Sequence, residues 1–132
     1  MTRLEPFLER MPPDMPAAFE FRHPSWHDEE TFAALAGRGV GLYITDSDDE
    51  RLGTTPLVAT ATRVYFRLRR DSYDDESYKV WAARVSAWVA EGRDVFALLK
   101  HDIGLPGIEM GLELTRNLAA DGARALPIAA PA

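Results

Sequence analysis

Side chains fit for polar chemistry gather at the ends of four apolar runs. Glu20, Arg22 and His23 close AFEFRH, and Asp46 ends VGLYITD. Arg67 and Arg69 alternate in VYFRLRR, and Lys100, His101 and Asp102 end DVFALLKHD. Guanidinium forks grip phosphate and carboxylate groups bidentately, so Arg22, Arg67, Arg69 and Lys100 read as an anion-binding set. His23 and His101, with Asp46 as a carboxylate neighbour, are suited to general acid and base work near neutral pH. Glu20 and Arg22 are two residues apart and share a face if their run is a strand. A carboxylate as deep as Glu20 then needs a partner, which Arg67 offers. Trp26 and Tyr73, just past strand ends, are placed to stack on a base or sugar ring.

Each of these has a plainer use. Glu20 with Arg67 reads as a structural pair that positions strands, and a histidine before proline, as in His23-Pro24, as a turn or capping residue. Trp26 and Tyr73 also suit covering a rim. Trp81 and Trp88 recur at helical spacing and read as core. His23, His101, Asp46 and Asp102 form an oxygen and nitrogen ligand set, but metal-type spacing such as HxxxH is absent and the adjacent arginines oppose a cation. A divalent metal is therefore not favoured, and no other cofactor is indicated. The acidic stretch Asp46 to Glu50 lacks the glycine and terminal glutamate of a calcium loop and reads as a solvated turn.

The elements that must hold these groups follow from periodicity. Leu4, Phe7, Leu8 and Met11 are spaced as on a helix, which the prolines of MPPDMP then stop. Ala17–Arg22 predicts the first strand. SWHDEETFAALAGRG predicts a helix capped by Ser25 and Asp28 and ended by Gly37 and Gly39. Val40–Asp46 predicts a buried second strand. A charged, Gly- and Thr-rich loop follows, with one turn near Pro56–Ala59, then a third strand over VYFRLRR with Tyr65, Arg67 and Arg69 on one face. Tyr78, Trp81, Ala82, Val85, Trp88 and Val89 draw one stripe of a long helix that ends at Gly92. DVFALLKHD is the fourth strand, and a last helix runs from about Pro106 to Ala120. Strands separated by such segments predict a parallel α/β sheet with crossover helices. Residues 1–12 would then precede the first strand, 13–122 form the domain, and 123–132 fray as a tail.

With 132 residues, 46% of them hydrophobic, and a formal charge of -6, the chain reads as one globular domain rather than a disordered or broadly nucleic-acid-binding one. An anion site must therefore be concentrated. The sequence has no cysteine, which excludes disulfides and thiolate chemistry and suits a reducing cytoplasm. No run approaches the ~20 apolar residues needed to span a bilayer, so no membrane partner is expected.

FEFRHPSW, Asp46 at the end of the next strand, VYFRLRR with Tyr73 beyond it, WAARVSAW and DVFALLKHD occur in an order that resembles the YecE-like proteins, the family called domain of unknown function 72. The resemblance covers roughly Leu4 to Leu118. It implies a TIM-type (β/α)8 barrel, of which this chain supplies the C-terminal half, since such barrels run to about 250 residues. The partner would be the missing N-terminal half or a second copy of the chain. The site would lie at the C-terminal ends of the strands. Two departures stand out: Arg69-Arg70 replaces a His-Gly common among relatives, and Lys100-His101-Asp102 replaces an Asn-Asn-acid pattern. The expected function is hydrolysis, of phosphodiester type, of a phosphorylated or other anionic substrate. The alternatives are a non-catalytic nucleotide or nucleic-acid binding module, or an inactive fragment of a longer barrel.

Overall fold

The computed structural model describes residues 3–49, 54–99, 106–120 and 122. Helix α1 (Leu4–Arg10) leads into strand β1 (Ala18–Phe19), a 3₁₀ turn (Pro24–Trp26) and helix α2 (Glu29–Gly37). Strands β2 (Gly41–Asp46) and β3 (Arg63–Leu68), helix α3 (Asp75–Ala90), strand β4 (Asp94–Leu99) and helix α4 (Pro106–Ala120) follow. The four strands form one sheet in the order β1-β2-β3-β4, and every pairing is parallel. An α/β fold of parallel strands with helices between them is therefore what the sequence predicted. Between β2 and β3, however, no helix occurs among the described residues.

The first strand is shorter than expected. Only Ala18 and Phe19 pair with β2, opposite Gly41 and Leu42, and the chain then leaves the ladder. Pleat alternation therefore does not fix where Arg22 points, which corrects the expectation of a strand through that residue. The β2–β3 connection compensates for the short ladder. The Thr60 hydroxyl accepts from the Leu42 N–H at 2.7 Å and donates to the Val40 carbonyl at 2.8 Å, so a side chain satisfies buried backbone groups that would otherwise carry a desolvation cost. The expected turn near Pro56 is present as a tight contact from the Val58 N–H to the Pro56 carbonyl at 2.9 Å.

Capping explains where the helices begin and end. Asp28 accepts from the Thr31 N–H at 2.7 Å, and Asp74 from the Ser77 N–H at 2.8 Å. Each satisfies an orphan donor of a first turn. Ser25, expected as a cap of α2, lies in the 3₁₀ turn instead. Gly39 and Gly92, after α2 and α3, adopt φ of 63° and 78°, the left-handed conformation that glycine takes without steric cost.

All four helices cover the same side of the sheet. Leu42 joins Leu4, Leu8 and Leu35 in one buried cluster. Ile44, Val64, Phe66 and Leu68 join Trp81, Val85, Trp88, Met110 and Leu114 in another. Strand residues two apart share a face, so Tyr43, Thr45, Tyr65, Arg67, Phe96 and Leu98 lie on the opposite, uncovered face. There Phe96 and Leu98 remain 44% and 42% exposed. The α3 stripe is as expected except for Val89, which is exposed. Among the described residues no helix is long and apolar enough to cross a membrane.

Candidate functional site

On the uncovered face, register places Tyr43 beside Tyr65 and Thr45 beside Arg67, with Phe96 and Leu98 next in line on β4. Tyr65 and Phe96 stack with centroids 4.7 Å apart. The Thr45 hydroxyl donates to Glu20 Oε1 at 3.3 Å. Glu20 is thus tied to β2 rather than to Arg67: among the described residues these two form no ion pair, which corrects the expected partnership. Tyr43 reports what surrounds it. Burial raises its phenol pKa, Arg67 and Arg69 act to lower it, and Glu20 acts to raise it. Glu20, Arg67 and Arg69 thus all act electrostatically on one phenol that the sequence had not singled out. Arg67 and Arg69 are half-buried, and neither makes an ion pair among the described residues.

The opposite side of the same strand ends is fully engaged. Arg70 donates from Nε to Asp46 Oδ1 at 2.8 Å, and its second guanidinium nitrogen lies 2.8 Å from the same oxygen. Trp81 Nε1 donates to Asp46 Oδ2 at 3.1 Å. The Asp46 carbonyl accepts from the Arg69 N–H at 2.8 Å and from the Tyr73 hydroxyl at 3.4 Å. Tyr73 is half-buried and accepts from the Arg70 N–H at 3.4 Å. Burial, and then the nearby Asp46, hold its phenol pKa well above the ordinary tyrosine value, with the Arg70 N–H acting the other way. Asp46, expected as a proton-transfer group, has both carboxylate oxygens bonded and is 6% exposed.

The remaining expected residues are dispersed. Arg22 is exposed and makes no ion pair among the described residues. His23 Nδ1 accepts from the Ser25 N–H at 3.2 Å and lies 2.8 Å from the Ser25 hydroxyl. It caps the 3₁₀ turn, and an accepting Nδ1 places the ring proton on Nε2. Trp26 stacks on Phe21 with centroids 5.1 Å apart and planes 18° apart, the covering arrangement. Lys100, His101 and Asp102 lie outside the described residues. No cluster of metal-ligating side chains occurs among the described residues. A shallow depression lined by Pro16, Ala17, Gly39, Thr62, Arg63 and Tyr65 lies at the other end of the strands, away from Arg69.

Arg70, Tyr43, Thr45 and the Trp81 N–H are the participants that sequence reasoning missed. In the sequence, Arg70 stands out only as the second residue of the Arg69-Arg70 departure.

The family model for "Protein of unknown function DUF72" matches residues 1–132. The chain belongs to the DUF72 family. Among solved structures it is similar to a DUF72 family protein of Enterococcus faecalis, with a TM-score of 0.71 and 17% identity over 89% of this chain and 53% of that one. It is similar as well to a DUF72 family protein of Thermotoga maritima, with a TM-score of 0.69 and 21% identity over 89% of this chain and 51% of that one. This DUF72 chain thus spans about half the length of the structures it matches. No curated protein matches it.

Proposed function

We propose that the uncovered face is the inner wall of half a TIM-type barrel, and that its strand C-terminal ends bind a phosphate-bearing or other anionic substrate for hydrolysis of phosphodiester type. Support for the barrel comes from sequential parallel strand order, helices confined to one face, and relatives about twice as long. A parallel sheet is ordinarily buried on both sides, and the second cover here is the other half of the barrel. That half also pairs the open edges of β1 and β4, which are otherwise prone to association.

The observation that carries the anion reading is the pair Arg67 and Arg69, half-buried two residues apart on the uncovered side and without an ion pair among the described residues. Alternate strand residues lie about 6.6 Å apart. Two like charges at that backbone spacing repel by about 2–3 kcal/mol at an effective dielectric near 20, and by less where solvent screens them. A bound phosphate converts that repulsion into two charge-assisted hydrogen-bonding sites. In hydrolysis, water attacks phosphorus, a base takes its proton, and the departing oxygen receives one from an acid. His23 is the candidate for proton transfer among the described residues, and the expected His101 and Lys100 lie outside them.

Titration with inorganic phosphate and turnover of bis(4-nitrophenyl) phosphate test this. Saturable binding that falls about tenfold or more in Arg67→Ala and Arg69→Ala supports it, and release of nitrophenol selects hydrolysis. Salt-dependent binding without turnover selects the non-catalytic binding module. Absence of binding to the chain assembled with its complementary half rejects the site.

A further inference from the structure

We propose that Asp46 is a positioning residue: it pins Arg70 to the helix-covered side of the sheet, so that its neighbour Arg69 is held on the uncovered side with its charge unneutralised. The proposal rests on the anion reading above and assigns each arginine of the adjacent pair a separate task.

The geometry shows how one residue does this. Asp46 shares the covered face with Leu42 and Ile44, because strand residues two apart point the same way. Its carboxylate takes two contacts from Arg70 on one oxygen and the Trp81 indole on the other. Its carbonyl takes the Arg69 N–H, extending the β2–β3 ladder beyond the last pair, Asp46 with Leu68. Main chain and side chain of one residue therefore fix two consecutive arginines, one by its backbone and the other by its guanidinium. Tyr73 closes the arrangement: its hydroxyl bonds to the Asp46 carbonyl and the Arg70 N–H, and the Arg70 guanidinium carbon lies 5.8 Å from its ring centroid.

A general base needs an oxygen within reach of the proton it removes. Asp46 is buried against α3 with both oxygens engaged, so it acts on the site through its neighbours. Arg70 is neutralised where it sits, whereas Arg69, continuing the ladder, follows Arg67 on the uncovered side.

The test turns on a sign. Asp46→Asn removes a negative charge near the anion site, so charge alone would tighten phosphate binding. The positioning role predicts the reverse, about tenfold weaker, the scale on which outer partners of a binding site act. The double variant Asp46→Asn with Arg70→Met removes one charge of each sign and leaves no guanidinium without its partner. It provides the measurement if the single variant does not fold, and charge alone then predicts no change. Weaker phosphate binding in either variant supports the proposal; equal or tighter binding overturns it. Amide hydrogen exchange at Arg69 reads the same role without ligand. Faster exchange in the variant supports positioning even if the wild-type chain binds no phosphate, and unchanged exchange rejects it.

Discussion

Trp81 lies flat on Phe66, with ring centroids 4.7 Å apart and 12° between the planes. The pair couples α3 to the centre of β3, and the same indole donates to Asp46. Packing and polar satisfaction thus meet in one side chain. Trp81→Ala should cost about 3–5 kcal/mol, as for other buried aromatics. Trp81→Phe keeps most of the ring but strips a donor from Asp46 Oδ2, and should cost about 1–2 kcal/mol. Urea unfolding of the two variants checks the order: a Trp81→Phe variant as stable as the wild type would show that the hydrogen bond contributes nothing, and equal losses would show that the ring packing contributes nothing.

The helix caps predict an acid-sensitive fold. Hydrogen bonds from the Thr31 and Ser77 backbone N–H and side-chain groups hold the Asp28 and Asp74 carboxyls below their ordinary value of 3.8. A depressed folded pKa contributes stability above the unfolded value, lost as pH falls through the folded one. Helicity followed by circular dichroism should therefore fall off below pH 3.8, and Asp74→Ala should flatten that slope while lowering the neutral-pH melting temperature.

Tyrosine ionisation carries the opposite sign. Burial raises the phenols of Tyr43, Tyr73 and Tyr78 above the ordinary value of 10.0. A raised folded pKa stabilises below the unfolded value and is lost as pH rises through the folded one. Stability should decline above pH 10, and Tyr73→Phe should reduce the decline. Ultraviolet titration of phenolate absorbance beside a denaturation curve at each pH measures both.

The uncovered face predicts association of the chain. Phe96 and Leu98 are exposed next to the stacked Tyr65, an apolar patch of a kind that seeks a partner. Phe96→Ser with Leu98→Ser should reduce light scattering at high concentration and change unfolding stability by no more than about 0.5 kcal/mol per site, as for exposed positions. A large loss of stability would mean that the face is already covered.

The backbone approach at Gly41 makes a similar point about packing. A Cβ built there would lie 3.2 Å from the Arg63 carbonyl oxygen and 3.4 Å from Ala18 Cβ. Backbone cannot swing aside as a side-chain tip can, so Gly41→Val should destabilise by about 1–3 kcal/mol, measurable by thermal melting.

Periodicity made most of the fold legible, because period-2 and period-3.6 patterns are local. The last helix, Pro106–Ala120, falls where proline and the apolar spacing put it. The first strand did not end where its composition suggested, since ladder length depends on a partner far along the chain. The candidate site was half legible for the same reason. Arg67 and Arg69 could be placed on one face by counting, whereas Arg70 could not be paired with Asp46 without knowing which side of β2 the helices cover. Trp81 was readable as core, but its N–H partner is 35 residues away. His23 carried both a proton-transfer and a capping reading in the sequence, and the structure shows the capping contact.

The most direct test of the proposed anion site is the response of arginine side-chain Nε resonances to inorganic phosphate. The account predicts saturable shifts at Arg67 and Arg69, with Arg70 nearly unmoved because Asp46 already holds it. Shifts spread over surface arginines without saturation, or centred on Arg70, would contradict it.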